Sequence, residues 1–278
     1  MEPKVLICYL EKNKFTEHFF LSQMECLKQI STYFDEVLYL QEETIGKLFL
    51  EIDVKKSICL TTSPVVAEQM QGLGISVIGF EADSQEMMKA PYVVLGLDEL
   101  TYRDFVRVYR RWHKLPWDIL QTDRLYVREF SMEDMEALRR LYDQPHMTDY
   151  VEPLFEDAQE RQYQKNYIEK IYGFYGFGMW LVFHKETGEL IGRAGVEFRE
   201  TCRDGEAEMG YLISPKYQRK GYGTEVCKAI MGYAKEELQM ERILCRVSPE
   251  NKPSIAFLKQ LGFGLSKQED EWFFSYEL

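Results

Sequence analysis

Residues 214–237 read SPKYQRKGYGTEVCKAIMGYAKEE. Lys216, Arg219 and Lys220 stand beside two glycines, Gly221 and Gly223, and an amphipathic helical pattern begins at once. The whole chain carries a net charge of -12 over 278 residues, so this local concentration of bases runs against its composition. Glycine lets the backbone take positive φ and approach a ligand closely. The first N–H groups of a helix have no partner within it, and the helix dipole adds about half a positive charge there. Bases, glycines and a helix start together describe an anion cradle, of a size that suits a diphosphate. The spacing Gln218-x-x-Gly221-x-Gly223 is not a Walker loop, which ends in Gly-Lys-Ser/Thr on a longer spacing. Nor is it the dinucleotide pattern G-x-G-x-x-G.

Outward from this loop, EAEMGYLI (206–213) predicts a strand stopped by Pro215, and the helix after the glycines runs to about Leu238. ERILCRVSP (241–249) predicts a strand, and NKPSIAFLKQLG (251–262) a helix capped by Asn251 and closed by Gly262. Upstream lie a strand at RLYVREF (124–130) and a helix from Ser131 to Tyr142 with the spacing of a capping box. A second helix follows over 156–172, and a hairpin over 179–200 turns at Glu186-Thr187-Gly188. EWFFSYEL (271–278) predicts a last strand.

The first half is patterned differently. VLICYL (5–10), EVLYL (36–40), SICLTTS (57–63), SVIGFE (76–81) and YVVLGL (92–97) predict strands. Helical patterns over 15–31, 43–53, 64–74 and 101–114 lie between and after them. Such alternation predicts a small parallel α/β sheet. Leu115-Pro116-Trp117 breaks the last helix. The chain therefore divides into 1–116, a Rossmann-like α/β domain, and 122–278, with a linker near 115–121.

The order of elements around Glu208-Met209-Gly210-Tyr211, Gln218–Gly223, ERILCRV and Asn251…Ser254…Leu261-Gly262-Phe263 resembles the GCN5-related N-acetyltransferases. Within them it looks most like the branch that acetylates the N-terminal amino group of ribosomal proteins. The resemblance covers about 122–278. It implies a mixed, mostly antiparallel central sheet, splayed at the cofactor site and flanked by helices, with acetyl-CoA as donor. On this resemblance Gln218, Arg219, Lys220, Gly221, Tyr222, Gly223 and Thr224 hold the pyrophosphate. The strand ending in Leu212-Ile213 splays from ERILCRV, the pantetheine arm enters the split like an added strand, and Asn251 contacts that arm.

Acetyl transfer to an amine needs a neutral amine, a polarised thioester carbonyl and a thiolate that can leave. A backbone N–H at Leu212 or Ile213 is the candidate for polarisation. Glu208, in phase with Gly210 and Leu212, is the candidate base; the resemblance places such a glutamate near the acceptor amine. Relatives often carry tyrosine in the frame N-x-x-S-x-x-x-Y, but here that position is Leu258, which cannot donate a proton. Ser254 is then the candidate acid. The aromatic run Tyr172–Trp180 and the acids Glu152, Glu156 and Asp157 are candidates for the acceptor side.

The rest of the composition excludes other classes. No apolar run of about 18 residues exists, so no transmembrane helix is expected, and the N-terminus lacks a signal-peptide pattern. The acidic balance argues against nucleic-acid binding. Six scattered cysteines without a CxxC pair predict free thiols in a reducing cytoplasm and no metal site. Residues 57–97 faintly resemble the end of a haloacid-dehalogenase core, yet VLICYLEKNK has no Asp-x-Asp nucleophile, so that half is read as non-catalytic. Dimerisation, acceptor capture and domain stability remain open as its role. Two alternatives to the enzyme stand beside it: a CoA-thioester sensor without turnover, and a scaffold whose loop holds another phosphate. The acceptor, an amine on a protein N-terminus or a small molecule, is not specified by the sequence.

Overall fold

A computed structural model of the chain describes residues 2–41, 52–81 and 88–278. The chain divides into two compact units, Met1–Leu115 and Pro116–Leu278. The helix expected over 43–53 falls mostly on 42–51, outside the described residues.

The first unit holds β1 (Val5–Tyr9), α1 (Glu17–Ser31), β2 (Glu36–Tyr39), β3 (Ser57–Thr61), α2 (Pro64–Gly72), β4 (Ser76–Phe80), β5 (Tyr92–Val94) and α3 (Tyr102–Trp112). Its strands are parallel in the order β2-β1-β3-β4-β5. That order is one of the two common doubly wound arrangements. β3 and β4 are buried along their whole length, as parallel strands covered on both faces must be. Leu6, Leu27, Ile58, Leu60, Phe105 and Tyr109 form one core, and Cys59, Val66, Met70 and Val77 another. Thr61-Thr62-Ser63 builds a turn. The Thr61 hydroxyl accepts from Ser63 N at 3.1 Å, and the Ser63 hydroxyl accepts from Val66 N at 3.4 Å to cap α2. The likeness to the haloacid-dehalogenase core receives no support.

The second unit holds β6 (Asp118–Gln121), β7 (Leu125–Arg128), α4 (Met135–Tyr142), α5 (Asp157–Asn166), β8 (Met179–His184), β9 (Leu190–Glu197), β10 (Glu206–Ile213), α6 (Tyr222–Glu236), β11 (Arg242–Val247), α7 (Lys252–Leu261), β12 (Gly264–Gln268) and β13 (Trp272–Glu277). The sheet runs β12-β13-β11-β10-β9-β8-β7-β6, antiparallel except for β10 with β11. Asp118–Gln121, expected within the linker, is instead the edge strand β6, which pairs with β7. β12 is fully exposed and lacks apolar alternation, so its pattern gave no strand signal.

Helix α5 continues as a π-helix over Tyr167–Tyr172 and a further turn to Tyr175, then stops at Gly176 with φ of 78°. Gly173 lies inside this helical run. No described helix is long and apolar enough to cross a membrane. Cys8, Cys59, Cys227 and Cys245 are buried, and all six thiols are unbridged.

The start of α4 shows how the sequence holds the sheet to its helices. Ser131 N donates to Asp134 at 2.8 Å, closing the expected capping box, and Arg128 on β7 makes two bonds of 2.7 Å to the same carboxylate. Both side chains are largely buried. Removing Asp134 takes away both of the guanidinium's 2.7 Å carboxylate bonds and leaves it the Glu129 carbonyl at 2.9 Å. Asp134→Ala is therefore expected to lower unfolding stability by roughly 2–4 kcal/mol. Urea unfolding measures this; a loss below about 0.5 kcal/mol would show that Arg128 finds water instead.

Candidate active site

The site begins where a pair of strands parts. β10 pairs with β11 only at Glu206↔Arg242, Ala207↔Ile243 and Glu208↔Leu244, although both strands continue. From Met209 onward β10 keeps only β9, through Ile213↔Gly192. Register decides which backbone groups face the opening. Ser214 N donates to Ile191 O at 2.8 Å, the next step of that ladder. Hydrogen-bonded pairs alternate, so 212, 210 and 208 bond to β9, while 213, 211 and 209 point away from it. The N–H of Leu212 is thus spent on β9, and those of Ile213 and Tyr211 face the opening.

The anion loop closes this opening at one end. Pro215–Tyr217 forms a 3-10 turn, Arg219 has φ of 58°, and Gly221 has φ of 85° immediately before α6. Gly221 is required by its backbone: a side chain there is strained whatever the space. No side chain caps α6 among the described residues, so the N–H groups of Tyr222, Gly223 and Thr224 are left to solvent or a ligand. Gln218 donates from its amide to Ile213 O at 2.8 Å, tying the loop to the end of β10. Arg124 braces it from β7's side. Its guanidinium donates to Lys220 O at 3.1 Å and to Glu225 at 2.7 Å, and lies 4.2 Å above the Tyr222 ring. Thr122 adds a 2.5 Å bond to Glu225. The Tyr222 hydroxyl meets His184 at 3.0 Å.

Glu208 sits at the last paired position, directly opposite Glu197 of β9. Its side chain is mostly buried. Burial pushes its carboxyl above the ordinary range; Arg246 and Arg199 pull it down, and Glu197 and Glu271 push it up again. Both arginines stand 3.9 Å away. Arg199 also pairs with Glu197, which accepts a hydrogen bond from Tyr167. Beside this group lies a pocket of about 250 Å³ lined by Tyr163, Tyr167, Phe177, Glu197, Phe198 and Arg199. The π-helix supplies Tyr167, as such segments often do at functional sites. Asp157, one of the expected acceptor acids, is taken up by Arg139 and Arg161 at 3.1 and 3.0 Å.

On the other face of β10, Asn251 caps α7: its side-chain oxygen accepts from Ser254 N at 3.1 Å. The Asn251 amide hydrogens remain for another acceptor. Ser254 Oγ lies 2.6 Å from the Tyr211 hydroxyl. Leu258 is fully buried in the core.

A splayed parallel pair, a glycine turn at an uncapped helix and an antiparallel remainder now stand together, and comparison with known proteins agrees with them. The acetyltransferase (GNAT) domain profile matches residues 124–264, half of the chain. The chain belongs to the GNAT acetyltransferase family. It is 30% identical over 146 residues to an uncharacterized N-acetyltransferase, YnaD, of Bacillus subtilis, covering 51% of this chain and 81% of that one. It is also 30% identical over 154 residues to the [ribosomal protein uS5]-alanine N-acetyltransferase of Escherichia coli, covering 52% of this chain and 77% of that one. A ribosomal-protein α-N-acetyltransferase in complex with coenzyme A shares the fold, with a TM-score of 0.51 and 16% identity over 58% of this chain and 98% of that one.

The GNAT donor is acetyl-CoA, and this acetyltransferase has the features to hold it. The loop offers backbone donors with a fixed left-handed turn, and the opening offers the N–H groups of Tyr211 and Ile213. Several contributors were not visible in the sequence: Glu197, Arg199 and Arg246 around Glu208, the Arg124–Glu225 brace, and Tyr211. Each depends on cross-strand register or on a contact between residues about 40 to 100 apart.

A base works only when deprotonated, so with Glu208 as the base its raised carboxyl is expected to put the acid limb of kcat/KM above the ordinary glutamate range. Arg246→Gln removes a group that lowers it and is expected to move the limb to higher pH. Glu271→Gln is expected to move it lower. A pH profile of kcat/KM reads both; limbs that stay put in the two variants would assign the base elsewhere.

Proposed function

We propose that the second unit transfers an acetyl group from acetyl-CoA to an amine by direct attack, and that its acceptor is an α-amino group of a protein or peptide. The observation that carries this reading is the parting of β10 from β11 after Glu208, with the uncapped start of α6 at the mouth of the opening. The donor, when bound, supplies an activated acetyl thioester. On this reading the 218–224 loop holds its pyrophosphate through backbone N–H groups and the helix dipole, with Arg219 and Lys220 adding charge. Asn251 and the free edge of β10 hold the pantetheine arm, and Ile213 N–H polarises the carbonyl. Glu208 takes the amine proton, and Ser254 lies on the side where the sulfur departs.

The acceptor class follows from proton chemistry and from the relatives. An α-amino group has a pKa near 8, and a lysine amine near 10.4, so the lysine costs roughly 3 kcal/mol more to deprotonate. A carboxylate base, even one raised by burial, favours the weaker amine. On this reading the aromatic pocket beside Glu197 takes the side chain next to that amine; its lining by Tyr163, Tyr167, Phe177 and Phe198 supports this. The Escherichia coli relative is named as an N-acetyltransferase acting on an alanine of ribosomal protein uS5. The division of labour we propose leaves 1–116 as a non-catalytic α/β domain.

Calorimetric titration of acetyl-CoA tests the site. The intact protein is expected to bind it, and Gly221→Val to weaken binding by about ten- to a hundredfold, the effect of roughly 1–3 kcal/mol of backbone strain. Turnover is then followed by thiol release with an alanine-initiated peptide and with the same peptide Nα-blocked but carrying a lysine. Activity on the blocked peptide alone would overturn the α-amino assignment. Binding without release on any amine would leave a sensor.

A further inference from the structure

The frame N-x-x-S-x-x-x-Y, found in many relatives, places a tyrosine four residues after the serine. Here that place is Leu258, without a proton and wholly buried. The phenol comes from another element. Tyr211 lies on β10 three residues beyond the last pairing with β11, and Ser254 lies in the first turn of α7. Their oxygens are 2.6 Å apart, so one hydroxyl donates to the other across the opening. Phe257 fixes the tyrosine ring edge to face at 5.0 Å, and the Asn251 cap fixes the serine.

We infer that Tyr211 is a positioning residue for thiolate departure: it donates to Ser254 Oγ and so turns the serine hydrogen toward the sulfur of the donor. A serine hydroxyl has one hydrogen and two acceptor sites. With Tyr211 filling one acceptor site, that hydrogen is free for the opening. Burial raises the phenol well above its ordinary pKa, so it stays protonated and can donate to Ser254. The first turn of α7 adds its positive dipole end beside the same atom. In the step, the C–S bond breaks and its electron pair goes to sulfur. Sulfur, as a thiolate, accepts the Ser254 hydrogen bond and takes its proton from solvent, while Ser254 and Tyr211 keep theirs. The amine's proton has meanwhile gone to Glu208 and then to solvent, so protons balance. This deepens the function proposed above and rests on it.

The test needs no acceptor. Coenzyme A and desulfo-coenzyme A, in which hydrogen replaces the thiol, are titrated at about pH 7 and about pH 9, either side of an ordinary thiol pKa near 8.5. The intact protein is expected to prefer coenzyme A, by about tenfold at the higher pH, as one charge-assisted hydrogen bond to a thiolate provides. Tyr211→Phe and Ser254→Ala are each expected to reduce the preference to within about twofold, with desulfo-coenzyme A binding unchanged and no further loss in the double variant. Ser254→Ala, half-exposed at a helix start, carries the test should the phenylalanine variant fold poorly. A preference that survives in Tyr211→Phe, or equal weakening of both ligands, would overturn the assignment and leave Tyr211 a packing residue. Absence of binding of either ligand to the intact protein would instead remove the acetyl-CoA reading, and this inference with it.

Discussion

The second unit depends on two parallel strands that stop pairing. A parallel pair in mid-sheet ordinarily satisfies its backbone groups to the end. β10 and β11 satisfy them over three residues and then diverge. Divergence is tolerated because each strand keeps its other neighbour: β10 holds β9 to Ile213↔Gly192, and β11 holds β13 to Val247↔Trp272. What remains open is one row of N–H and C=O groups on β10, and Gln218 already serves one of them at Ile213. The N–H groups of Tyr211 and Ile213 are available to an extended partner, which is the physical content of a cleft that takes a peptide-like arm.

The loop is the second constraint, coupled to the first by the same residue. Gln218 fixes the start of the turn to the end of the strand, and Gly221 reverses the chain so that α6 begins with its N–H groups toward the opening. A capping serine or aspartate at 221 would satisfy these N–H groups and fill the cradle; glycine leaves them free. Rigidity comes from Glu225, one turn into α6, held by Arg124 and Thr122. The basic residues most evident in the sequence are less uniform in role than their clustering suggests. Lys216 is paired with Glu189 at 3.0 Å, while Arg219 and Lys220 stay exposed.

What the sequence displayed was local. The glycine spacing, the Asn251 cap, the Ser131 capping box and the helix–strand order can all be read within short windows, and they located the loop and the fold class. What it concealed was register. Glu197 is one of several acids in a hairpin until the β9–β10 pairing sets it opposite Glu208. Tyr211 is a strand residue in phase with the core until α7 brings Ser254 against it. Asp118–Gln121 is a strand only because β7 offers it an edge.

The electrostatics around Glu208 follow from this register. Burial raises the Glu208 carboxyl above its ordinary range, and two like charges nearby, Glu197 and Glu271, push the same way. Arg199 and Arg246 oppose them from 3.9 Å, too far for a direct hydrogen bond. That distance matters. A bidentate arginine would hold the carboxylate ionised but occupy the lone pairs that, on the proposed reading, receive a proton. Arginines at 3.9 Å favour the ionised form while leaving its oxygens accessible. Arg199, moreover, is shared with Glu197, so its charge is divided between two carboxylates. On the proposed reading, an incoming ammonium completes this balance: it approaches the acidic pair and leaves its proton on the carboxylate whose pKa burial has already raised.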